Sequence, residues 1–258
     1  MLVEQADPAF IPTRVPGLGG PAPGFSMLGG TLGNTLDPQG RVVYVTKLAH
    51  QIMRLEQDGR RIELVCQFEG KDLNGVNDLV YKRDGSLYFT DPIWTAGFRE
   101  RRERRIPIPQ PDLDYGGVYM LKDRKLKLLT KDVEGLNGLT FSPDEKYLYL
   151  ANDTKKTIMR FDVQPDGSIA NGQVFIDMSS DPAPGVPDGM KVDERGNVYC
   201  AGPGGIWIIS PEGKHLGTLV FPDNPSNLAF GDDDGKTLYV TAGPGIYRIR
   251  LNIPGIHP

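Results

Sequence analysis

A polar residue recurs at one position of a repeated segment, and this repeat constrains the fold more than any other feature. The recurrences are Asn77 before Gly85, Asn137 before Glu145, Asp188 before Gly196 and Asn227 before Gly235, each pair eight residues apart. A strand-like run follows every turn: SLYFTD, KYLYLAND, NVYCAG and KTLYVTA. Four copies of one unit therefore present an amide or a carboxylate from equivalent positions, which we call the anchor positions.

The spacing of the anchors predicts the fold class. With Leu32 at the anchor of a first copy, LGNTLDPQG, the spacings are 45, 60, 51 and 39 residues, and periods of roughly 40–50 residues that hold several short strands are typical of β-propellers. The best copy predicts four strands: GLTFS, YLYLAN, TIMRFDV and GQVFIDM. Alternation at 147–150 and 158–161 indicates half-buried strands. Five third strands are recognisable: QIMRLEQDG, GGVYMLKD, TIMRFDVQPDG, GIWIISPEG and GIYRIRL.

The expected architecture is all-β, a propeller of four-stranded blades in a domain covering residues 31–258. Residues 1–30 are rich in Pro and Gly and contain no clear four-strand unit. Either five full blades are accompanied by a rudiment, or an N-terminal blade has been lost. An insertion at about residues 93–116 carries five arginines; it is expected to be a solvated loop or a lid over the mouth of the central channel.

Composition excludes several classes of partner. A net charge of −4 over 258 residues argues against nucleic-acid or anionic-membrane binding, and no apolar stretch reaches membrane-spanning length. No signal peptide is visible at the N-terminus. The compartment stays open between cytoplasmic and, if the N-terminus is processed, periplasmic or secreted. The two cysteines lack metal-ligand spacing, and the oligomeric state is undetermined.

The anchors are the candidate site. None of the three histidines lies near one, which argues against a histidine-based hydrolase. Asn77, Asn137 and Asp188 supply oxygen ligands only, a set that favours one divalent cation, Ca²⁺ first, with Mg²⁺, Mn²⁺ or Zn²⁺ as alternatives. The competing interpretation is that these residues are turn and cap formers. A substrate-binding or supporting role is assigned to three further residues: Asp78, Asn227 and Asn34.

Two other carboxylates, Asp91 and Asp153, end second strands in a different register. Asp91 stands before Pro92 in the segment TDP, and Asp153 closes the segment AND. Asp91 is therefore interpreted as a strand terminator, and neither residue is among the predicted ligands.

With these motifs assembled, the chain resembles the family of senescence marker protein, gluconolactonase and luciferin-regenerating enzyme over roughly residues 30–250. The strongest pieces are LNGVNDLVYKRDGSLYFTDP, GLNGLTFSPDEKYLYLAND, GVPDGMKVDERGNVYCAGPGG and NPSNLAFGDDDGKTLYVT. The resemblance implies a six-bladed propeller with one divalent metal, usually calcium. In the family the metal is held by a Glu of the first blade, two Asn and one Asp. The last three match Asn77, Asn137 and Asp188.

The chain departs from the family pattern at three places. The Glu-Gly-Pro motif near the start is absent, and Glu4 is the only Glu before residue 56. Gly75 replaces an arginine that stands two residues before the first Asn. Leu32 replaces an Asn at the second-blade anchor. A calcium site with Asp188 as its single carboxylate is expected to be weak.

The resemblance implies an enzyme that hydrolyses a small-molecule lactone of the gluconolactone type. The metal would polarise the ester carbonyl, and Asp188 would assist the attack of water as general base. Two alternatives are kept open. One is an organophosphate or aryl-ester hydrolase that uses the same site. The other is a propeller that binds a partner without catalysis, since fold alone does not confer activity.

Overall fold

The computed structural model describes residues 13–14, 31–46, 50–93 and 112–256, and the regular elements in these ranges are β-strands. Within them, no helix has the length and apolar character needed to span a membrane. The described residues fall into two compact units. Residues 31–136 form the first unit, and residues 137–256 with 13–14 form the second.

The first unit contains two four-stranded antiparallel sheets and a short two-stranded ribbon. The strands of the first sheet are β2 (Thr31–Leu36), β3 (Val42–Thr46), β4 (Gln51–Leu55) and β5 (Arg61–Val65). The ribbon is β6 (Gln67–Phe68) with β7 (Lys71–Asp72). The second sheet is β8 (Leu79–Tyr81), β9 (Leu87–Asp91), β10 (Gly117–Lys122) and β11 (Lys125–Thr130). Each four-stranded sheet is a simple meander.

The second unit contains three four-stranded antiparallel sheets. The third sheet is β12 (Leu136–Phe141), β13 (Tyr147–Asn152), β14 (Thr157–Val163) and β15 (Ile169–Asp177). The fourth is β16 (Met190–Val192), β17 (Val198–Gly202), β18 (Gly205–Ile209) and β19 (His215–Leu219). The fifth is β20 (Pro225–Gly231), β21 (Thr237–Ala242) and β22 (Gly245–Arg250), and β1 (Thr13–Arg14) pairs with β22 as its fourth strand.

These meanders are the blade unit of β-propellers, so the all-β, propeller-type class is as expected, but the six-blade expectation is wrong. The described residues form five four-stranded sheets. All five third strands predicted from the sequence are present, as β4, β10, β14, β18 and β22. The sixth blade inherited from the family resemblance has no counterpart in the described ranges. Of the residues 1–30, the structure describes Thr13 and Arg14, and these complete the fifth sheet.

Each sheet begins with the same type of turn between its first and second strands. The closing amide donates to a carbonyl three residues earlier in every copy, for example Gly85 to Lys82 at 2.9 Å and Gly196 to Asp193 at 2.9 Å. The closing residue has a positive φ, which glycine adopts at little cost. Glu145 takes this conformation without being glycine, with φ of 56°. The repeat that the sequence shows is therefore a repeat of hairpins.

The middle strands of the second and fourth sheets are the most buried. β9, β17 and β18 are buried at every residue, while the outer strands β11 and β19 are largely half-exposed or exposed. The half-buried alternation predicted for 147–150 is wrong, because Tyr149 is 2% exposed and lies between Leu148 and Leu150, which are also buried. Its ring packs 4.8 Å from Phe175 on the same sheet and joins a cluster with β16 and β17 of the next sheet.

The C-terminal residues join the fourth and fifth sheets within the second unit. Gly255 pairs with Asp193, and its amide donates to Gly235 at 3.0 Å. The amide of Ile256 donates to Val192 at 3.0 Å. A Cβ added at Gly255 would overlap the ring of Phe230, so glycine is required here for steric reasons.

Burial predicts which substitutions the fold tolerates. Ile158→Ala removes a side chain that is 0% exposed in the third sheet and is expected to lower the free energy of unfolding by about 2–5 kcal/mol. Val174→Ala, on the neighbouring strand with Val174 56% exposed, serves as the control and should change it by about 0.5 kcal/mol or less. Urea unfolding of both variants measures the difference, and equal effects would contradict this assignment of the core.

Candidate functional site

In the first unit, the anchors of the two sheets are in backbone contact. The Gly33 amide donates to the Asn77 carbonyl at 2.9 Å. A Cβ on Gly33 would lie 2.7 Å from the Asp78 Cα, closer than real Cβ atoms approach. Leu32, the residue before Gly33, is half-buried and packs against the core of the unit. The first sheet therefore presents an apolar side chain where the second presents Asn77.

The segment that carries Asn77 is held by the end of β9. The Asn77 amide donates to the Thr90 carbonyl at 2.8 Å, and the Asp78 amide donates to Thr90 Oγ1 at 3.3 Å. Further upstream, the amides of Asn74 and Gly75 donate to the two carboxylate oxygens of Asp91, at 2.9 and 2.8 Å. Two adjacent residues of β9, Thr90 and Asp91, thus bond to four of the five residues in the segment 74–78.

Asp78 itself points inward. It is 1% exposed, and its Oδ1 accepts a hydrogen bond from the amide of Leu79 at 2.9 Å. The carboxylate also lies against the backbone of Gly33 on the neighbouring strand. Asp78 thus contacts both strands at this junction, and its supporting or substrate-binding role stays a prediction.

In the second unit, Asn137 lies on β12 and Asp188 lies two residues before β16, the first strand of the next sheet. A Cβ on Gly138, directly after Asn137, would lie 2.7 Å from the Cα of Gly189, directly after Asp188. Asn137 is 7% exposed, whereas Asp188 is half-exposed. The Asp188 amide donates to the Ala201 carbonyl at 3.0 Å, the same bond that Asn77 makes to Thr90. Asn77 and Asp188 are therefore equivalent positions, as the repeat predicts.

Asn227 is displaced by one position from the register that the sequence suggests. Its amide donates to Thr241 Oγ1 at 3.0 Å, and its Oδ1 accepts from the amide of Leu228 at 2.8 Å. These are the two bonds that Asp78 makes. The true anchor of the fifth sheet is Ser226, whose carbonyl accepts from Gly189 at 2.9 Å. The eight-residue count is misleading here because the β20–β21 hairpin is one residue pair longer than β8–β9.

The remaining predicted residues divide between described and undescribed parts of the chain. Asn34 is exposed and pairs with Tyr44 in β2 and β3, and its substrate-binding or supporting role stays a prediction. Glu4 and residues 94–111 of the predicted insertion lie outside the described residues. Asn77 belongs to the first unit and Asn137 and Asp188 to the second, and that the three converge stays a prediction.

Asp91 is the functional candidate that sequence reasoning undervalued. It is 0% exposed, and burial raises its pKa to about 7, against the lowering effect of the Asn74 and Gly75 amides. Its charge in turn raises the pKa of Tyr119 on β10, where burial is the larger cause. One sequence feature could have indicated Asp91: it is a carboxylate at the end of a second strand. The equivalent residues of three other sheets are uncharged: Asn152, Gly202 and Ala242.

The predicted ligands supply oxygen atoms only, and such a set suits a hard cation that is bound weakly. Asp188 and Asn137 supply a carboxylate and an amide from neighbouring segments of the chain, and Ca²⁺ takes oxygen ligands of both kinds. No three His, Cys, Asp or Glu side chains come together as a metal site in the part of the chain that the structure describes. Among the predicted ligands Asn77, Asn137 and Asp188, the one carboxylate is Asp188, so a cation held by this set would depend on Asp188 together with amide oxygens.

The sheets and their anchors define a propeller-type protein with a repeated polar site, and comparison identifies its family. A family model described as SMP-30/Gluconolactonase/LRE-like region matches residues 22–243. The chain belongs to this family, which confirms the resemblance inferred from the motifs.

Individual relatives agree with this assignment. The chain is 31% identical over 236 residues to a gluconolactonase of Zymomonas mobilis, covering 88% of this chain and 64% of that protein. It is 27% identical over 166 residues to a 6-deoxy-6-sulfogluconolactonase of Pseudomonas putida, covering 57% of each. A solved gluconolactonase structure from Xanthomonas campestris superposes with a TM-score of 0.76 at 32% identity, covering 86% of this chain and 72% of that one. The chain thus spans less than two-thirds of the length of these two sequence relatives.

The raised pKa of Asp91 predicts a pH-dependent stability. In the folded state Asp91 holds its proton up to a pKa of about 7, whereas the ordinary value is 3.8. Between these values the folded protein binds a proton that the unfolded chain has released, so the contribution of Asp91 to stability falls as pH rises through this window. The slope is at most about 1.4 kcal/mol per pH unit.

Asp91→Asn removes this titration. The free energy of unfolding of the wild type, relative to that of D91N, should therefore fall from pH 4 to pH 7 and level off above pH 7. Urea unfolding curves at unit pH intervals measure this difference. A difference that stays constant over the whole range would show that Asp91 titrates normally in the folded protein.

Proposed function

We propose that this protein hydrolyses a sugar lactone of the gluconolactone type, with Asp188 as the residue that handles the proton. The observation that carries the proposal is the placement of Asp188. It is a half-exposed carboxylate two residues before β16, beside the strand β12 that carries the buried Asn137. A carboxylate that solvent reaches can act on water, while a buried amide beside it has no acid–base chemistry and can only ligate or bind.

The relatives support the substrate class. Proteins named gluconolactonase and 6-deoxy-6-sulfogluconolactonase align with this chain at 31% and 27% identity. Both names describe ring-closed esters of sugar acids, which differ at the sixth carbon. A lactone with several hydroxyl groups is also consistent with a site built from amides, since carboxamides both donate and accept hydrogen bonds.

The reaction balances with the residues of this chain and one water. Asp188 accepts a proton from water as the water oxygen forms a bond to the lactone carbonyl carbon. The ester bond to the ring oxygen then breaks. The proton held by Asp188 passes to that oxygen, and the open-chain hydroxy acid is released. In this proposal Asn137 orients the carbonyl side of the substrate.

The family implies a divalent cation, and the residues of the second unit that would hold it are Asn137 and Asp188. Asn77 is the third ligand that the sequence predicts. When bound, such a cation supplies polarisation of the carbonyl and stabilisation of negative charge on its oxygen. With one carboxylate among the ligands, we expect affinity for Ca²⁺ in the weak range, with a Kd on the order of 10⁻⁴–10⁻³ M.

Asp188→Asn tests the proposed function. The substitution keeps the size of the side chain but removes its basicity, so kcat on glucono-δ-lactone should fall by a factor on the order of 10² or more. Acid release in weak buffer measures the rate. Asp162→Asn, the same change at a half-exposed carboxylate on β14, should leave the rate within about twofold. Equal activity of D188N and wild type would rule out this role for Asp188.

Calcium titration provides a separate test of the predicted ligands. We expect calorimetry to show binding to the wild type at millimolar Ca²⁺ and at least a tenfold weaker Kd for Asn137→Ala and D188N, since each loses an oxygen ligand. D162N should bind as the wild type does. If all four proteins bind Ca²⁺ alike, the cation occupies some other part of the chain.

A further inference from the structure

We propose that Asp91 is a positioning residue that holds the backbone approach to Asn77 and through it sets the efficiency of the reaction. The inference rests on the proposed function, because it assigns Asp91 to the lactone-hydrolysing site. Sequence alone gives it the role of a strand terminator. The structure places its carboxylate under the segment 74–78, with one oxygen for each of two successive amides.

The end of β9 holds the segment 74–78 in place through hydrogen bonds, and in this sense it is a template for that segment. Going along the segment, the amides of Asn74 and Gly75 bond to Asp91, and those of Asn77 and Asp78 bond to Thr90. The Thr90 amide also donates back to the Asp78 carbonyl at 3.0 Å. Five hydrogen bonds therefore join two residues of β9 to four residues of the approach.

The segment needs such a template because its own conformation is irregular. Gly75 has a φ of 138°, a region that glycine alone enters readily. Val76 is 0% exposed and packs in the core of the first unit. The chain must therefore pass from an unusual backbone conformation through a buried side chain to Asn77 within three residues. The two bonds from Asp91 fix the start of this path.

A carboxylate suits this task better than its neutral isostere. Two amide hydrogens approach its two oxygens separately, and an ionised carboxylate accepts both. An asparagine would place an NH₂ donor against one of these amides, leaving two donors face to face. The buried location makes each bond stronger and its loss more costly.

Asn152 provides the natural comparison. It ends β13 at the position equivalent to Asp91 and is 3% exposed. Its Oδ1 accepts from the amide of Lys155 at 2.9 Å, inside the turn of its own hairpin. Asn152 thus has the same depth and strand position as Asp91, but it holds a turn instead of the approach to an anchor.

Hydrogen exchange tests the positioning directly. In Asp91→Asn, measured at pH 8 on folded protein, exchange of a peptide covering residues 73–79 should rise at least tenfold relative to the wild type. Asn152→Ala should leave that peptide unchanged and speed exchange around residues 152–157 instead. Unchanged exchange at 73–79 in D91N would overturn the proposal, whatever the activity of the variant. A uniform rise over all peptides in D91N would do the same, since it would indicate general destabilisation.

Kinetics then tests the link to the reaction. With glucono-δ-lactone, D91N is expected to lose at least tenfold in kcat with a smaller change in KM, because misplacement of a site residue reduces turnover more than binding. N152A should stay within about twofold of the wild type. Normal kcat in D91N with faster exchange at 73–79 would overturn the link to catalysis. An inactive wild type would refute the proposed function and this link together, while the exchange result would still decide whether Asp91 holds the segment.

Discussion

The close approach of neighbouring first strands is the constraint on which the rest of each unit depends. Glycine makes it possible at Gly33 in the first unit and at Gly138 and Gly189 in the second, where a Cβ would lie within 3 Å of the adjacent strand. Because backbone meets backbone at these points, the residue just before each glycine is held in a defined place. Leu32, Asn137 and Asp188 are those residues. The polar site is thus a by-product of how the sheets pack.

The same contact explains why Asp78 and Asn227, each directly after an anchor, have a structural role that the anchors do not share. Asp78 fills the space over Gly33, and Asn227 fills the space over Gly189. Each caps the amide that follows it, at 2.9 and 2.8 Å respectively. A short polar side chain satisfies this position because it can turn back onto its own backbone. The pair therefore stabilises the junction between strands, and the adjacent residues remain available for ligands and substrate.

The sequence predicted the blades well because hairpins are local. The runs assigned to the second and third strands of the third sheet coincide with β13 and β14 at every residue, since tight turns with glycine or a left-handed residue delimit them on both sides. Blade number is not a local property. It depended on a family pattern, and β1 lies more than 200 residues from its partner β22, a pairing that no window of sequence reveals.

The candidate site was predictable only as far as the hairpins are uniform. Counting back from the turn located Asn77, Asn137 and Asp188, because their hairpins have equal length. One additional residue pair in the β20–β21 hairpin moved Asn227 to the position of Asp78. Sequence periodicity cannot detect such a change, since the apolar alternation continues through it. The side chains did indicate the shift. Both sheets carry a pair of polar residues here, Asn77 with Asp78 and Ser226 with Asn227, and the anchor is the first residue of each pair.

Asp91 shows why a buried charge is informative about function. A carboxylate that is 0% exposed costs stability unless its bonds compensate, and here burial outweighs the two amide bonds, so the net effect is a pKa raised to about 7. The equivalent positions in the fourth and fifth sheets are Gly202 and Ala242, which carry no such cost. Local folding of a blade therefore does not require a carboxylate at this place. Glycines of positive φ also precede the anchors Asn137 and Asp188, at Gly135 and Gly185. What distinguishes the second sheet is that two amides of the approach, those of Asn74 and Gly75, bond to a buried carboxylate. The destabilising group is thus retained where an anchor side chain has to be held in place.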